Sequence, residues 1–162
     1  MTDSQQTATR FYRAFQSGDA AVMASCYHPE LQFSDPVFGK LGHQEACGMW
    51  TMLLERSKGA LQIEFDVLSA DASEVQVQWV ASYPFGKSKR PVTNVIVAKM
   101  QFKEGLIVQH HDRFDFWKWS RQALGMSGWL LGWTPFLQNK VRQQSRQLLK
   151  KHLSEQGVIE KN

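Results

Sequence analysis

The chain has 162 residues, 43% of them hydrophobic and 21% charged, which excludes a disordered polymer and fits one ordinary domain with a real core. Its net charge of +4 is uneven: residues 117–162 hold 8 of the 19 Lys and Arg but 2 of the 15 Asp and Glu, so the basicity belongs to the C-terminal segment. Two cysteines, Cys26 and Cys47, make no disulfide framework or metal-ligand spacing, and the polar start MTDSQQTATR carries no signal-peptide pattern, so a reducing cytoplasm is the expected compartment.

In chain order, Ala8, Phe11, Tyr12 and Phe15 recur at helical spacing and predict an amphipathic helix over 4–16, ended by SGD. Asp19 has the character of an N-cap for a short second helix with Val22, Met23, Cys26 and Tyr27 inward, closed by His28-Pro29. LQFSD reads as a short strand and GKLG as a turn, and His43 to Ser57 reads as a third helix. Alternating strands follow at roughly 61–70, 74–84 and 92–103. The last of these is apolar on both faces, which predicts a strand covered on both sides. After the Glu104-Gly105 turn, LIVQHHDRFDFWKW predicts a fourth long strand. Helices followed by a meander are an α+β arrangement, with a curved antiparallel sheet wrapped by helices around a cone-shaped cavity.

The candidate site residues are Asp35, His110 and Asp112. Asp35 lies in FSDPVFG, where an acid before proline either forms a turn or points into a pocket that raises its basicity. Strict alternation puts Leu106, Val108, His110, Asp112, Phe114 and Phe116 on one face of the last strand. A His and an Asp two residues apart on an apolar face are either a satisfied structural pair or a proton-handling pair whose Asp sets the imidazole tautomer. The opposite face, with His111, Arg113 and Asp115, suits a sheet-to-sheet contact between two copies. His110 and His111 point to opposite faces, so they cannot chelate together, and neither a metal nor an organic cofactor is expected.

RFYRAFQSGDAAVMASCYHPELQFSDPVFG, GHQEACGMW and EGLIVQHHDRFDFW resemble, in order and spacing, the nuclear-transport-factor-two-like superfamily, including steroid isomerases and SnoaL-type polyketide cyclases. The resemblance covers residues 5–119 and implies a SnoaL-like pocket domain over 1–119 with a helical extension over 120–162. It implies Asp35 as general base and a ligand lining of Phe11, Tyr12, Phe15, Tyr27, Phe33, Phe38, Trp50, Tyr83, Ala98 and Phe114. Two departures stand out. The isomerases' Tyr and protonated acid, which donate to the developing enolate, fall on Phe11 and Ala98 here. The usual steroid-isomerase mechanism is therefore not expected. The implied function is a pocket for a small apolar molecule, with cofactor-free isomerase, cyclase or hydrolase chemistry; the alternative is a non-catalytic binding or membrane-associated accessory protein.

Beyond Ser120, Gly125, Gly128 and Gly132 break any single long helix, and Pro135 suits a helix start. Leu137, Val141, Leu148, Leu149 and Leu153 then form a stripe opposed by Arg142, Arg146, Lys150 and Lys151. GMSGWLLGWTPFL is too apolar to face water freely and is expected to cover something: a cavity mouth as a hinged lid, a second copy or a membrane surface. Nucleic acid is not expected, because the basic residues are not interleaved with stacking aromatics.

Overall fold

A computed structural model describes residues 1–157; residues 158–162 of the expected C-terminal extension lie outside the described residues. The elements are α1 (Asp3–Ser17), α2 (Ala20–Ser25), β1 (Tyr27–Asp35), β2 (Gly39–Leu41), α3 (His43–Ser57), β3 (Gln62–Ala70), β4 (Glu74–Phe85), β5 (Arg90–Lys103), β6 (Leu106–Arg113), α4 (Phe116–Leu124), α5 (Met126–Leu131) and α6 (Pro135–Glu155). The fold is α+β, with a curved, unclosed six-stranded sheet in the order β2-β1-β6-β5-β4-β3. Strands β3 to β6 form the antiparallel meander, while β1 joins β6 in parallel, a pairing that strand periodicity does not reveal.

Local chemistry sets the helix ends. The Thr2 side chain accepts the Gln5 N–H at the start of α1, and Gly18 closes it at φ +75°. Asp19 then caps α2 by accepting the Val22 N–H. That helix is shorter than expected: it stops at Ser25, and Tyr27, His28 and Pro29 already belong to β1. Helix α3 occupies the expected range, with the Glu45 carboxylate accepting the Gly42 N–H.

Two sequence expectations fail along β5 and β6. Val95 on the outer face of β5 is 44% exposed, so the chain itself covers only one face of that strand. Strand β6 ends at Arg113 rather than near Trp119, because Asp115 caps a new helix by accepting the Lys118 N–H. A bulge between the pairs Gln101↔Gln109 and Phe102↔Ile107 leaves Val108 unpaired. Ile107 and His110 are therefore both buried, which strict alternation forbids.

Three helices make the C-terminal extension. Ser120, buried in α4, lies so close to Gly128 that a Cβ there would fall 2.0 Å from its carbonyl oxygen; a Cβ on Gly132 would be equally close to its hydroxyl. These glycines allow two helices to cross in contact. Phe116, Trp119, Ala123 and Leu137 bury against Val92 in a second cluster at the end of the sheet. Helix α6 lies on α3, where Leu149 and Leu153 fill the notch left by Gly48. Leu148, placed in the same stripe by sequence, instead faces outward. No helix among the described residues is long and apolar enough to cross a membrane.

Leu149→Ala removes a buried side chain at a contact that glycine has made close, so it should cost about 2–4 kcal/mol in urea unfolding. A loss under about 0.5 kcal/mol would show that α6 does not hold this position in solution.

Candidate functional site

Strand register brings the centre of the site together. His110 of β6 lies beside Phe33 of β1, and Asp112 lies beside Ala98 of β5. His110 and Asp112 are 1% and 2% exposed. The Trp50 indole N–H, from α3, donates to the Tyr27 hydroxyl at 2.9 Å. The Tyr27 hydroxyl is 2.8 Å from His110 Nδ1, and His110 Nε2 is 2.9 Å from Asp112 Oδ1. The Trp79 indole N–H, from β4, also donates to Asp112 Oδ1, at 3.3 Å.

The directions follow from the two indoles, which can only donate. Tyr27 accepts from Trp50, so its own proton is free to go to His110 Nδ1. That leaves the imidazole hydrogen on Nε2, donated to Asp112. Burial holds the Tyr27 phenol well above its usual pKa, which keeps it a donor. Trp79 reaches Asp112 across the intervening strand, over the position where Ala98 presents only a methyl group.

Around this relay the interior is filled with rings. Trp50 stacks on His110 at 6.1 Å, with Phe11, Phe15, Phe33 and Trp79 5.0–6.1 Å from the Trp50 ring. Phe11, Tyr12, Phe15, Tyr27, Phe33 and Trp50, expected to line a ligand cavity, thus largely pack on one another. Two grooves border this interior, and the first is lined in part by Phe33 and His110. One of about 500 Å³ runs over β1, β2 and β6 past Ser34 and His111, which hydrogen-bond to each other; another of about 430 Å³ lies along α1 and α2.

Tyr12 stands apart from its neighbours. It is fully buried and stacked on Phe65 at 5.3 Å, yet its hydroxyl has no hydrogen-bond partner. Burial, and then the charge of Asp112, push its pKa well above the usual phenol value. It shares the buried face of α1 with Phe11, as the helical spacing predicts.

Asp35 ends β1 and is half-buried. Its Oδ1 accepts the N–H groups of Val37 and Phe38, so it does form a turn. It is also perturbed: burial, opposed by those amides and reinforced by the charge of Asp112, raises its pKa from 3.8 to about 7. Its turn is clamped from outside, because Arg142 donates to the Pro36 carbonyl and Arg146 to those of Phe38 and Lys40. Phe38 is buried beyond the turn. Tyr83 is not part of the relay and accepts from the Trp119 indole at 2.8 Å. Phe114 follows β6 and packs against both clusters.

Trp79 and the two arginine clamps escaped the sequence reading. Alternation puts Trp79 on one face of β4 with Val75, Val77 and Ala81, but its reach across a strand depends on register. Among the described residues, no group of three or more His, Cys, Asp or Glu is placed to hold a metal ion.

The SnoaL-like domain pattern matches residues 8–110. No curated protein matches the chain. Among solved structures, an LEH-like epoxide hydrolase of M. tuberculosis is similar at 18% identity, covering 75% of this chain and 90% of that one, with a TM-score of 0.58. A proposed polyketide cyclase of Xanthomonas campestris pv. campestris is similar at 14%, covering 74% and 96%, with a TM-score of 0.59. TerC, co-crystallised with polyporic acid, is similar at 17%, covering 70% and 92%, with a TM-score of 0.58. At these identities the likeness to solved structures is one of fold.

Two tyrosine variants should separate. Tyr27→Phe strands the Trp50 N–H and His110 Nδ1 in the interior and should cost about 2–5 kcal/mol. Tyr12→Phe removes a hydroxyl with no partner and should leave stability within about 0.5 kcal/mol or raise it. Equal losses in urea unfolding would contradict the relay.

Asp35 gives a pH test. With a folded pKa near 7 against an ordinary 3.8, the folded chain holds a proton that the unfolded chain releases, so stability falls as pH rises across that window and stays lower above it. Asp35→Asn keeps the acceptor for both amides and removes the charge. Its Tm should match the parent's near pH 4 and exceed it by about 3 °C above pH 8, allowing for partial solvent screening. A variant equally or less stable at high pH would refute the raised pKa.

Proposed function

The chain belongs to the SnoaL-like domain family, and within it we propose a protein that binds a small apolar molecule carrying one polar oxygen and moves a proton on it without an organic cofactor. The observation that carries this reading is the placement of Asp112, whose charge acts on both Asp35 and the unpartnered Tyr12 hydroxyl. Asp35, with a pKa near 7, is the proton-transferring group, because a base poised near the working pH combines availability with driving force. Tyr12 supplies the donor that the family comparison located at Phe11. A hydroxyl left over in an otherwise satisfied interior suits a ligand oxygen that replaces its missing partner. The His110–Asp112 pair, locked at both ring nitrogens, positions charge and does not itself exchange protons with ligand.

The reaction class is isomerisation or ring closure next to a carbonyl. Since the rings pack on one another, the ligand enters by parting them from the Asp35 end, where the acid is half-exposed. The proposal places the protein in the cytoplasm and, through the exposed outer face of the sheet, as a homodimer. A non-catalytic binding role is the second reading; the filled interior and fully bonded His110 favour it.

Thermal-shift screening against aromatic and polycyclic ketones and phenols decides between them. A ligand should raise Tm in proportion to the logarithm of its concentration, and Tyr12→Phe should weaken that shift at least tenfold in Kd. With a turned-over ligand, kcat/KM should rise with pH to a plateau above about 7, and Asp35→Asn should lower it about 10²–10⁴-fold. Binding unchanged in both variants would leave the non-catalytic role. No shift with any compound would remove the pocket.

A further inference from the structure

The segment expected to cover something is itself uncovered. Met126, Trp129, Leu130, Trp133 and Phe136 are 73, 56, 65, 71 and 67% exposed, with Leu131 beside them. Five large apolar side chains within 11 residues are thus left exposed, where free surfaces ordinarily carry such residues singly. Neither groove described above includes them.

The patch is held rigidly. Gly128 and Gly132 seat α5 against Ser120 of α4. Helix α4 is tied to the sheet by the Arg90 guanidinium donating to the Gln122 carbonyl at 2.9 Å and by the Thr93 N–H donating to Gln122 Oε1 at 2.8 Å. Arg121 lies over the rings of Trp117 and Trp129 at 4.4 and 4.8 Å. With one side of α5 fixed by close contact, the opposite side is displayed.

Charge identifies the occupant. Between Asp115 and Glu155 the chain runs 39 residues without an Asp or Glu and with seven Lys and Arg. Arg142 and Arg146 are engaged with the Asp35 turn, but Lys118 and Lys140 are exposed near the patch in sequence. The β4–β5 turn adds Lys87 and Lys89 next to Arg90, whose guanidinium reaches Gly125. Among the described residues, the indole N–H groups of Trp129 and Trp133 have no hydrogen-bond partner. Amphipathic rings with a free donor, in a stretch that carries cations and no carboxylate from residue 116 to 154, match the headgroup level of an anionic bilayer better than a protein surface, which would ordinarily offer mixed charge.

We propose that the α5 face, centred on Trp129, Leu130 and Trp133, docks this protein on anionic lipid bilayers. The apolar side chains enter the acyl boundary, and Lys118, Arg121, Lys140 and the β4–β5 turn contact headgroups. Docking is peripheral and reversible.

The test uses the full chain and extruded vesicles of phosphatidylcholine, with and without phosphatidylglycerol. Co-sedimentation should be at least tenfold greater on the anionic vesicles at low salt, and should fall when salt is raised to about 0.5 M. Leu130→Ser/Trp133→Ser, which leaves the Arg121 stack on Trp129 intact, should keep the parent's circular dichroism and Tm but lose at least nine-tenths of the sedimenting fraction. Equal binding to neutral vesicles, equal binding by the double variant, or no binding to any vesicle would each overturn the proposal. If vesicles are not bound and the double variant converts a dimer to a monomer in light scattering, the occupant of the patch is a second copy of this chain.

Discussion

The directional hydrogen-bond chain from Trp50 through Tyr27 and His110 to Asp112 and Trp79 is the constraint on which the rest of the interior depends. It joins one helix and three strands, β1, β4 and β6, at a point where water is excluded. A buried imidazole and carboxylate are costly unless every polar atom is bonded. The rings that exclude water here also supply the two indole donors, so apolar packing and polar satisfaction are achieved by the same side chains. Trp50 serves both purposes: its ring stacks on His110 while its N–H orders Tyr27.

This relay has electrostatic consequences beyond itself. Asp112 acts on groups it does not hydrogen-bond, among them Asp35 at the end of β1 and Tyr12 in the middle of α1. The Asp35 turn is in turn held from outside by Arg142 and Arg146. A basic helix added after the SnoaL-like region therefore contributes to the geometry at the edge of the site. Two of its cations satisfy backbone carbonyls that a free turn would leave to water, and its leucines fill the notch at Gly48.

The C-terminal extension combines opposite treatments of apolar surface. Phe116, Trp119, Ala123 and Leu137 are buried against the sheet. A few residues away, Trp129, Leu130 and Trp133 are held in water by the glycine contact that fixes α5. A flexible lid would fold such residues inward. The close crossing of α4 and α5 keeps them displayed.

Much of this was legible in the sequence. Helix α3 was predicted residue for residue, and Asp19 and Pro135 marked helix starts, because caps and periodicity are local chemistry. Asp35 was legible as an acid at a strand end, and the turn that it forms is one of its two alternatives. What remained hidden depended on contacts between distant segments. Strict alternation could not show the bulge at Val108, since a bulge is a property of two paired strands. Trp79 bonding to Asp112 requires β5 to lie between them with alanine at 98. For the glycines after Ser120, sequence shows their freedom but not what stands 2.0 Å away. The sequence by itself thus determined the element types and the apolar faces through short-range sterics and periodicity. Only the tertiary structure decided which polar atoms met and which apolar residues stayed uncovered, because both depend on register and close approach between segments far apart in the chain.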